Sequence, residues 1–222
     1  IRNSREIRQA LANVSSLYGL IANAGIGGEN QYGDQDRWQE IIDTNLTGTY
    51  QTIQECLPLI KKDPAPFKKI IIISSILARL GVPGYSGYCA SKAGLLGLTR
   101  SLAGEYSNDG ILVNALCPGW VDTEMAQEGL QGFADTLKIS REDAYKEAMK
   151  QVPLGKMSKP EEVAQLVAYL VSKEQTSKQI GDAQVHSSRS GIACLVAEDE
   201  EEAIEMVSEL LDSSVMPGVQ GG

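Results

Sequence analysis

The sequence is poor in the residue types that build metal and disulfide sites. Its four cysteines, Cys56, Cys89, Cys117 and Cys194, are scattered without CxxC spacing, and His186 is its single histidine. This set argues against a zinc site, and reduced cysteines in a cytoplasmic protein are the simpler account of it. We therefore expect no bound metal and a cytoplasmic location.

Long apolar runs and basic clusters are also missing. No stretch of 18 apolar residues and no signal peptide occurs in the chain, so we expect no membrane partner. The net charge is −9 and no Lys/Arg cluster exceeds two residues, which argues against nucleic acid. With 222 residues, of which 42% are hydrophobic, the chain suits one moderate domain or one plus a small appendage.

Strand-like and helix-like patterns alternate along the chain. Continuous apolar runs that suit buried strands and longer periodic stretches that suit helices follow one another. This alternation predicts an α/β fold with a doubly wound, Rossmann-like parallel sheet covered by helices. The predicted strands lie within 17–25, 68–75 and 110–120, and the predicted helices within 35–60, 87–106 and 158–174.

Polar or glycine-containing segments follow all three predicted strands. They are Asn23-Ala24-Gly25, Ser74-Ser75 and Pro118-Gly119. In a parallel sheet, ligands bind beyond the carboxyl ends of the strands. The sequence therefore predicts a ligand site on this rim.

The stretch "YCASKAGLLGLTR" places Tyr88 and Lys92 four residues apart at the start of a predicted helix. Positions i and i+4 share a helix face. Alone, the pair also fits a surface hydroxyl and a solvated lysine. As a functional pair, the ammonium would stabilise the phenolate and lower a pKa that is otherwise about 10, which would make the phenol a usable acid and base.

Five segments in this order resemble the short-chain dehydrogenase/reductase family. They are "NAG" at 23–25, "TNLTGTY" around Asn45, "ISS" ending at Ser75, "YCASK" at 88–92 and "CPGWVDTEM" at 117–125. The resemblance covers roughly residues 1–185 and implies hydride transfer between NAD or NADP and a secondary alcohol or ketone. Within the family, "DAYKEAMKQVPLGKMSKPEEVAQLVAYL" looks most like ketoreductases acting on 3-oxoacyl thioesters and polyketides.

The resemblance also implies a role for each motif residue. Ser75 would polarise the substrate carbonyl, Tyr88 would transfer the proton, and Lys92 would tune the phenol and hold a ribose hydroxyl. Asn45 would hold a water that links Lys92 to solvent. Each residue alone could instead be structural. The cofactor would be bordered on its adenosine side by Asn23, Ala24 and Gly25, and on its nicotinamide side by Tyr88, Lys92, Pro118, Gly119, Val121 and Thr123, with Thr123 bonding the carboxamide.

Two further expectations concern surfaces. The helices at 35–60 and 87–106 carry apolar residues on more than one face, Leu95, Leu96, Leu98 and Leu102 among them, which predicts a homo-oligomer, a dimer or tetramer. Residues 122–140 lack strand character and contain Gly129 and Gly132 as possible hinges. We expect a mobile lid there, with an apolar substrate wall formed by Met125, Leu130, Phe133 and Leu137.

The chain departs from the family at both ends. The family's first strand and its T-G-x-x-x-G-x-G turn are absent, so we expect an N-terminally incomplete fold, and the missing initial methionine favours a part preceding Ile1. Residues 185–211 resemble a segment of the carboxyltransferase subunits of biotin-dependent acyl-CoA carboxylases. We expect a partial catalytic core at 1–185 and a βα appendage at 186–222. The alternative function is a non-catalytic core that acts as an oligomerisation or acyl-CoA-complex scaffold.

Overall fold

The computed structural model describes residues 1–30 and 33–172. The chain divides into two units, Ile1–Lys173 and Glu174–Gly222, and the described residues belong to the first. The expected boundary at 185/186, the carboxyltransferase-like segment and the βα appendage therefore lie outside the described residues. Of the described cysteines, Cys56, Cys89 and Cys117 are free thiols.

The described strands form one parallel sheet in the order β1-β2-β3. The strands are β1 (Gly19–Ala22), β2 (Lys68–Ile73) and β3 (Ile111–Leu116). The helices are α1 (Ser4–Leu11), α2 (Trp38–Ile42), α3 (Gly48–Lys62), α4 (Ser86–Tyr106), α5 (Glu124–Leu137), α6 (Arg141–Met149) and α7 (Pro160–Ser172). Strands that alternate with helices and pair in parallel confirm the predicted Rossmann-like α/β fold. In the described ranges, no helix is long and apolar enough to cross a membrane.

The central strand β2 is covered on both faces, as its β-branched run predicts. Ile70 and Ile72 pack with α3 and α4 in the main core. Ile71 points to the opposite face, because side chains alternate along a strand, and it too is fully buried. The helix α7 contacts β2 as well. The sheet is thus held rigidly, and the segments that follow its strands start from fixed positions.

The predicted helix at 35–60 is present as α2 and α3, joined without a break by a π-helical turn at Asp43–Thr47. Such a turn inserts one extra residue into a helix and is frequent at functional sites. Asn45 lies in the middle of this turn and is fully buried.

The segment predicted to be a hinged lid is largely helical. Thr123 caps α5, its side chain accepting from the Ala126 N–H, so both expected hinge glycines lie inside a helix. A glycine in a helix costs only about 1 kcal/mol, and packing of the helix offsets it. Leu130 belongs to a buried cluster with Ala126, Met149 and Met157. The prediction that it forms part of a substrate wall is therefore wrong. Whether the segment moves as a lid stays a prediction.

Candidate active site

The three segments that follow the strands meet on one rim of the sheet. Because β1, β2 and β3 are parallel and adjacent, their carboxyl ends lie side by side. Pairing continues past the ends of the strands: the Ser74 N–H donates to the Leu116 carbonyl at 2.7 Å, and the Ile76 N–H donates to the Pro118 carbonyl at 2.9 Å. The polar residues that follow β2 are therefore fixed beside the Pro118-Gly119 turn.

Lys92 brings the helix α4 to this rim. Its side chain is buried, and its Nζ donates to the Ile73 carbonyl at 2.9 Å, at the end of β2. The same Nζ lies 5.6 Å from the centroid of the Tyr88 ring. The Ser74 Oγ donates to the Lys92 carbonyl at 2.9 Å. Two hydrogen bonds therefore hold this turn of the helix against the sheet.

Ser75 faces the phenol from the end of β2. Its backbone is extended, with φ of −164° and ψ of 155°, and its Oγ accepts from the Leu77 N–H at 3.2 Å. The Ser75 hydroxyl also interacts with the phenol of Tyr88, and this interaction lowers the pKa of Tyr88. Serine, phenol and ammonium thus lie together at one point on the rim.

Burial controls the protonation of this group. It raises the pKa of Tyr88 above its usual value, and the Ser75 hydrogen bond opposes only part of that rise. Burial also lowers the pKa of Lys92 to about 8. In the unliganded protein the net direction is therefore opposite to the expected lowering of the Tyr88 pKa. The reason is that the ammonium is directed at the Ile73 carbonyl and that desolvation disfavours both charged forms.

Asn45 connects the segment after β1 to the helix α4. Its Oδ1 accepts from the Ile26 N–H at 2.8 Å, and its Nδ2 donates to the Ile26 carbonyl at 2.9 Å and to the Ser91 Oγ at 3.1 Å. The Ser91 Oγ in turn donates to the Tyr88 carbonyl at 2.8 Å. The extra residue of the π turn directs this amide inward. Its water-holding role stays a prediction.

The predicted cofactor residues occupy the same rim. A Cβ added at Gly25 would lie 3.1 Å from the Asn45 Oδ1 and 3.6 Å from the Lys92 Nζ. A glycine at this position therefore leaves space beside the Lys92 ammonium that any other side chain would occupy. Asn23 and Ala24 are exposed and line a shallow cleft with Thr49 and Thr52.

The turn after β3 is also open in part. A Cβ at Gly119 would meet nothing within 4 Å. The Val121 segment pairs with Ser158, and the Thr123 hydroxyl donates to the Val121 carbonyl at 3.3 Å besides capping α5. The structure thus gives Thr123 a local structural role, and its bond to a carboxamide stays a prediction.

These residues fit the nicotinamide and ribose part of a dinucleotide. An ammonium has three donors, and among the described residues Lys92 directs one of them to protein, at Ile73. The others can reach hydroxyl oxygens beside the bare backbone of Gly25. Within 1–30 and 33–172, no group of three or more His, Cys, Asp or Glu residues could hold a metal ion.

Three residues whose structural roles the sequence did not predict complete the site. Ser74 and Ser91 make hydrogen bonds to the backbone of α4, and Asn30 accepts a hydrogen bond from its first turn. The two serines carried a signal, since small polar residues inside the buried motifs "ISS" and "YCASK" need partners. Asn30 carried none, because its partner is 57 residues away.

Comparisons with known proteins agree with this geometry. A family model described as enoyl-(acyl carrier protein) reductase matches residues 3–182. The 3-oxoacyl-[acyl-carrier-protein] reductase FabG of Staphylococcus aureus is 32% identical over 182 residues, covering 81% of this chain and 68% of the relative. The FabG of Rickettsia typhi is 36% identical over 175 residues, with 78% and 67% covered.

A solved structure gives the same result. A variant of the actinorhodin polyketide ketoreductase, solved with NADPH, superposes with a TM-score of 0.71 at 34% identity, covering 77% of this chain and 68% of that one. The chain thus spans about two thirds of the length of these relatives. From the motifs, the rim that they share and these matches, the chain belongs to the short-chain dehydrogenase/reductase family of oxidoreductases, which use NAD or NADP.

Proposed function

We propose that this chain transfers a hydride between NAD(P)(H) and a 3-oxoacyl thioester at the rim formed by Ser75, Tyr88 and Lys92. The observation that carries the proposal is the half-buried phenol, which lies between a serine hydroxyl and an ammonium at the ends of parallel strands. When bound, the nicotinamide supplies the hydride for ketone reduction or accepts it in alcohol oxidation. The protein's part is to move the proton at the substrate oxygen and to hold both partners.

Tyr88 is the proton donor in the direction of reduction. Because burial raises its pKa, the phenol is protonated at neutral pH and can donate to the carbonyl oxygen. Ser75 donates a second hydrogen bond to that oxygen and stabilises the charge that develops there. The Ser75–Tyr88 interaction places the two hydroxyls side by side, and the substrate oxygen would replace it as the acceptor of both.

Lys92 supplies charge and position. With a pKa of about 8, its ammonium is largely protonated at neutral pH. It is held by the Ile73 carbonyl at the bottom of the site, and its remaining donors face the place where a ribose hydroxyl would lie. The ammonium also stabilises the phenolate left after proton transfer, because opposite charges at short range attract strongly in a buried site.

The substrate class rests on the relatives and on the surface beside the site. FabG is named a reductase of 3-oxoacyl-[acyl-carrier-protein], and the solved relative is named a polyketide ketoreductase. In this chain, Met125 is exposed and its sulfur would lie 3.0 Å from a Cβ added at Gly27. Leu137 and Ile139 are exposed at the end of α5. These apolar groups support binding of an acyl chain.

The test replaces the phenol alone. In Tyr88→Phe the ring volume is kept, so the fold should survive, while kcat with a 3-oxoacyl thioester and NADPH or NADH should fall by about 10² to 10⁴. Cofactor affinity, measured by quenching of Trp38 and Trp120 fluorescence, should change little. The matched control is Tyr106→Phe at the far end of α4, which should leave kcat within about threefold.

Near wild-type turnover in Tyr88→Phe would reject the catalytic role of this residue. Turnover of simple ketones without turnover of the thioester would keep the oxidoreductase and reject the substrate class. Failure of the wild-type chain to bind either cofactor would favour the alternative of a non-catalytic scaffold.

We also propose an oligomeric state and a cellular compartment for the protein. We infer that the protein forms a dimer or tetramer through α3 and α4, supported by exposed Tyr50 and half-buried Leu96 on these helices. The three described cysteines are free thiols, which supports a reducing compartment such as the cytoplasm.

A further inference from the structure

The first turn of the catalytic helix is capped from a distant loop. The residue that precedes α4, Tyr85, makes no side-chain cap. The free N–H of Gly87 instead donates to the Asn30 Oδ1 at 2.9 Å. The first N–H groups of a helix need such acceptors. Gly87 is the residue immediately before Tyr88, so this bond acts on the backbone that carries the phenol.

Asn30 is itself held at three points. Its backbone N–H donates to the Gly84 carbonyl at 2.7 Å, and its Nδ2 donates to the Asp36 Oδ1 at 3.2 Å. The same Asp36 oxygen accepts from the Trp38 N–H at 3.1 Å, at the start of α2. Asn30 is 8% exposed. A single buried amide therefore connects the loop after β1, the start of α2 and the start of α4.

The fit around Gly87 is tight. A Cβ added there would lie 3.3 Å from the Asn30 Oδ1, 3.4 Å from its Nδ2 and 3.5 Å from the Trp38 ring. Close packing of this kind fixes one position of the helix end, because a neighbour can yield only by moving the whole contact. The side chain of Tyr88 starts from that fixed position and reaches Ser75.

We propose that Asn30 is a positioning residue that holds the first turn of α4 so that the Tyr88 phenol stays against Ser75. The predicted change in kcat rests on the proposed function. The predicted change at the Gly87 N–H rests on the hydrogen bonds alone. A misplacement of a reacting group by about 1 Å can cost about 10² in rate. Asn30 touches no reacting atom and acts through Gly87.

The first measurement needs no activity. In Asn30→Leu, amide exchange at Gly87, followed by NMR in the unliganded protein, should become about fivefold faster, because removal of a capping acceptor costs about 1 kcal/mol. The matched control is Asn3→Leu. Asn3 caps α1 by accepting from the Arg5 N–H at 3.0 Å, so the same kind of bond is lost away from the site. Unchanged exchange at Gly87 in Asn30→Leu would overturn the proposal.

The second measurement separates positioning from stability. In Asn30→Leu, kcat per folded enzyme should fall about tenfold or more with cofactor affinity within about threefold, whereas Asn3→Leu should keep kcat. The limb of the pH profile that reports Tyr88 should move to higher pH, because the Ser75 bond that lowers the phenol pKa would loosen. The titratable groups around the phenol, Tyr85, Cys89 and Lys92, stay unchanged in both variants.

Exchanging the amide of Asn30 and the carboxylate of Asp36 provides a rescue experiment for kcat. Asn30→Asp keeps the acceptor for Gly87 but sets a carboxylate against Asp36, so kcat should fall. The double variant Asn30→Asp with Asp36→Asn restores a donor and an acceptor and should return kcat to within about threefold of wild type. A double variant no better than Asn30→Asp, or a loss of activity that follows only the unfolded fraction, would contradict the proposal. If Tyr88→Phe keeps near wild-type kcat while amide exchange at Gly87 still becomes faster in Asn30→Leu, the catalytic role of Tyr88 is rejected and the capping role of Asn30 is kept.

Discussion

At the residue scale, the burial of Lys92 in the proposed active site carries a cost in stability. Its ammonium is buried with one protein carbonyl as described partner, and desolvation lowers its pKa from 10.5 to about 8. A group whose folded-state pKa lies below its unfolded-state pKa destabilises the fold wherever the unfolded chain binds the proton more tightly. Below about pH 8 this penalty is therefore fully present, and it fades as the pH rises toward 10.5.

Replacing Lys92 with methionine should remove both the penalty and the activity. At pH 7, Lys92→Met should raise the free energy of unfolding, by an amount on the order of 3 kcal/mol from the pKa difference. The advantage over wild type should shrink between pH 8 and pH 10.5. Urea denaturation at several pH values measures it. The same change at Lys156, whose side chain is exposed, is the control, and a less stable Lys92→Met protein at pH 7 would contradict the destabilising effect of Lys92.

At the scale of elements, the π turn and the loops decide where side chains arrive. The extra residue at Asp43–Thr47 directs Asn45 inward, where it binds both backbone groups of Ile26 and the hydroxyl of Ser91. The turn before β3 acts in a similar way on the sheet. Gly110 has φ of 67°, and its carbonyl accepts from the Lys68 N–H at 2.8 Å, which sets the register of β3 against β2.

Alanine at Gly110 should test this turn. A Cβ there would lie 2.2 Å from the Pro66 carbonyl oxygen, so the substitution combines a left-handed backbone with a clash against main chain. We expect a loss of about 2–4 kcal/mol in the free energy of unfolding.

Gly155 provides the control for the backbone contribution. Its φ is 63°, and a Cβ there would meet nothing within 4 Å, so Gly155→Ala should cost only about 1 kcal/mol. Equal losses at the two positions, measured by urea denaturation, would show that the contact with Pro66 relaxes freely.

At the scale of the whole molecule, the apolar residues of α3 and α4 divide between core and surface. Leu95 and Leu102 are buried against the sheet, Leu96 is half-buried, and Tyr50 is 46% exposed. One stripe of α4 thus serves the core, while part of the remaining apolar surface stays free for a partner. This distribution favours association of copies through these helices.

Light scattering should find two or four times the mass of one chain at micromolar concentration. Leu96→Asp should shift the distribution toward the single chain, because a charge on an apolar interface is costly to bury. Leu80→Asp, at a side chain that is already 55% exposed outside these helices, is the control. A wild-type protein that stays monomeric would reject the assembly, as would a Leu96→Asp protein that assembles normally.

The sequence by itself determined the features that depend on local spacing. Tyr88 and Lys92 share a helix face because they are four residues apart, and the three polar segments share a rim because they follow parallel strands. The family could be predicted from these motifs. The sequence pattern failed at 122–140, where glycines indicated hinges and a capped helix formed instead.

Only the tertiary structure decided how these residues are coupled. Asn45 meets Ile26 across 19 residues of chain and Ser91 across 46 residues, and Asn30 meets Gly87 across 57. No local pattern encodes such pairs, because they form only when the sheet and helices pack. The direction of the two pKa shifts was likewise set by burial. Desolvation depends on all the atoms that exclude water from a group, and these atoms come from every element around the site.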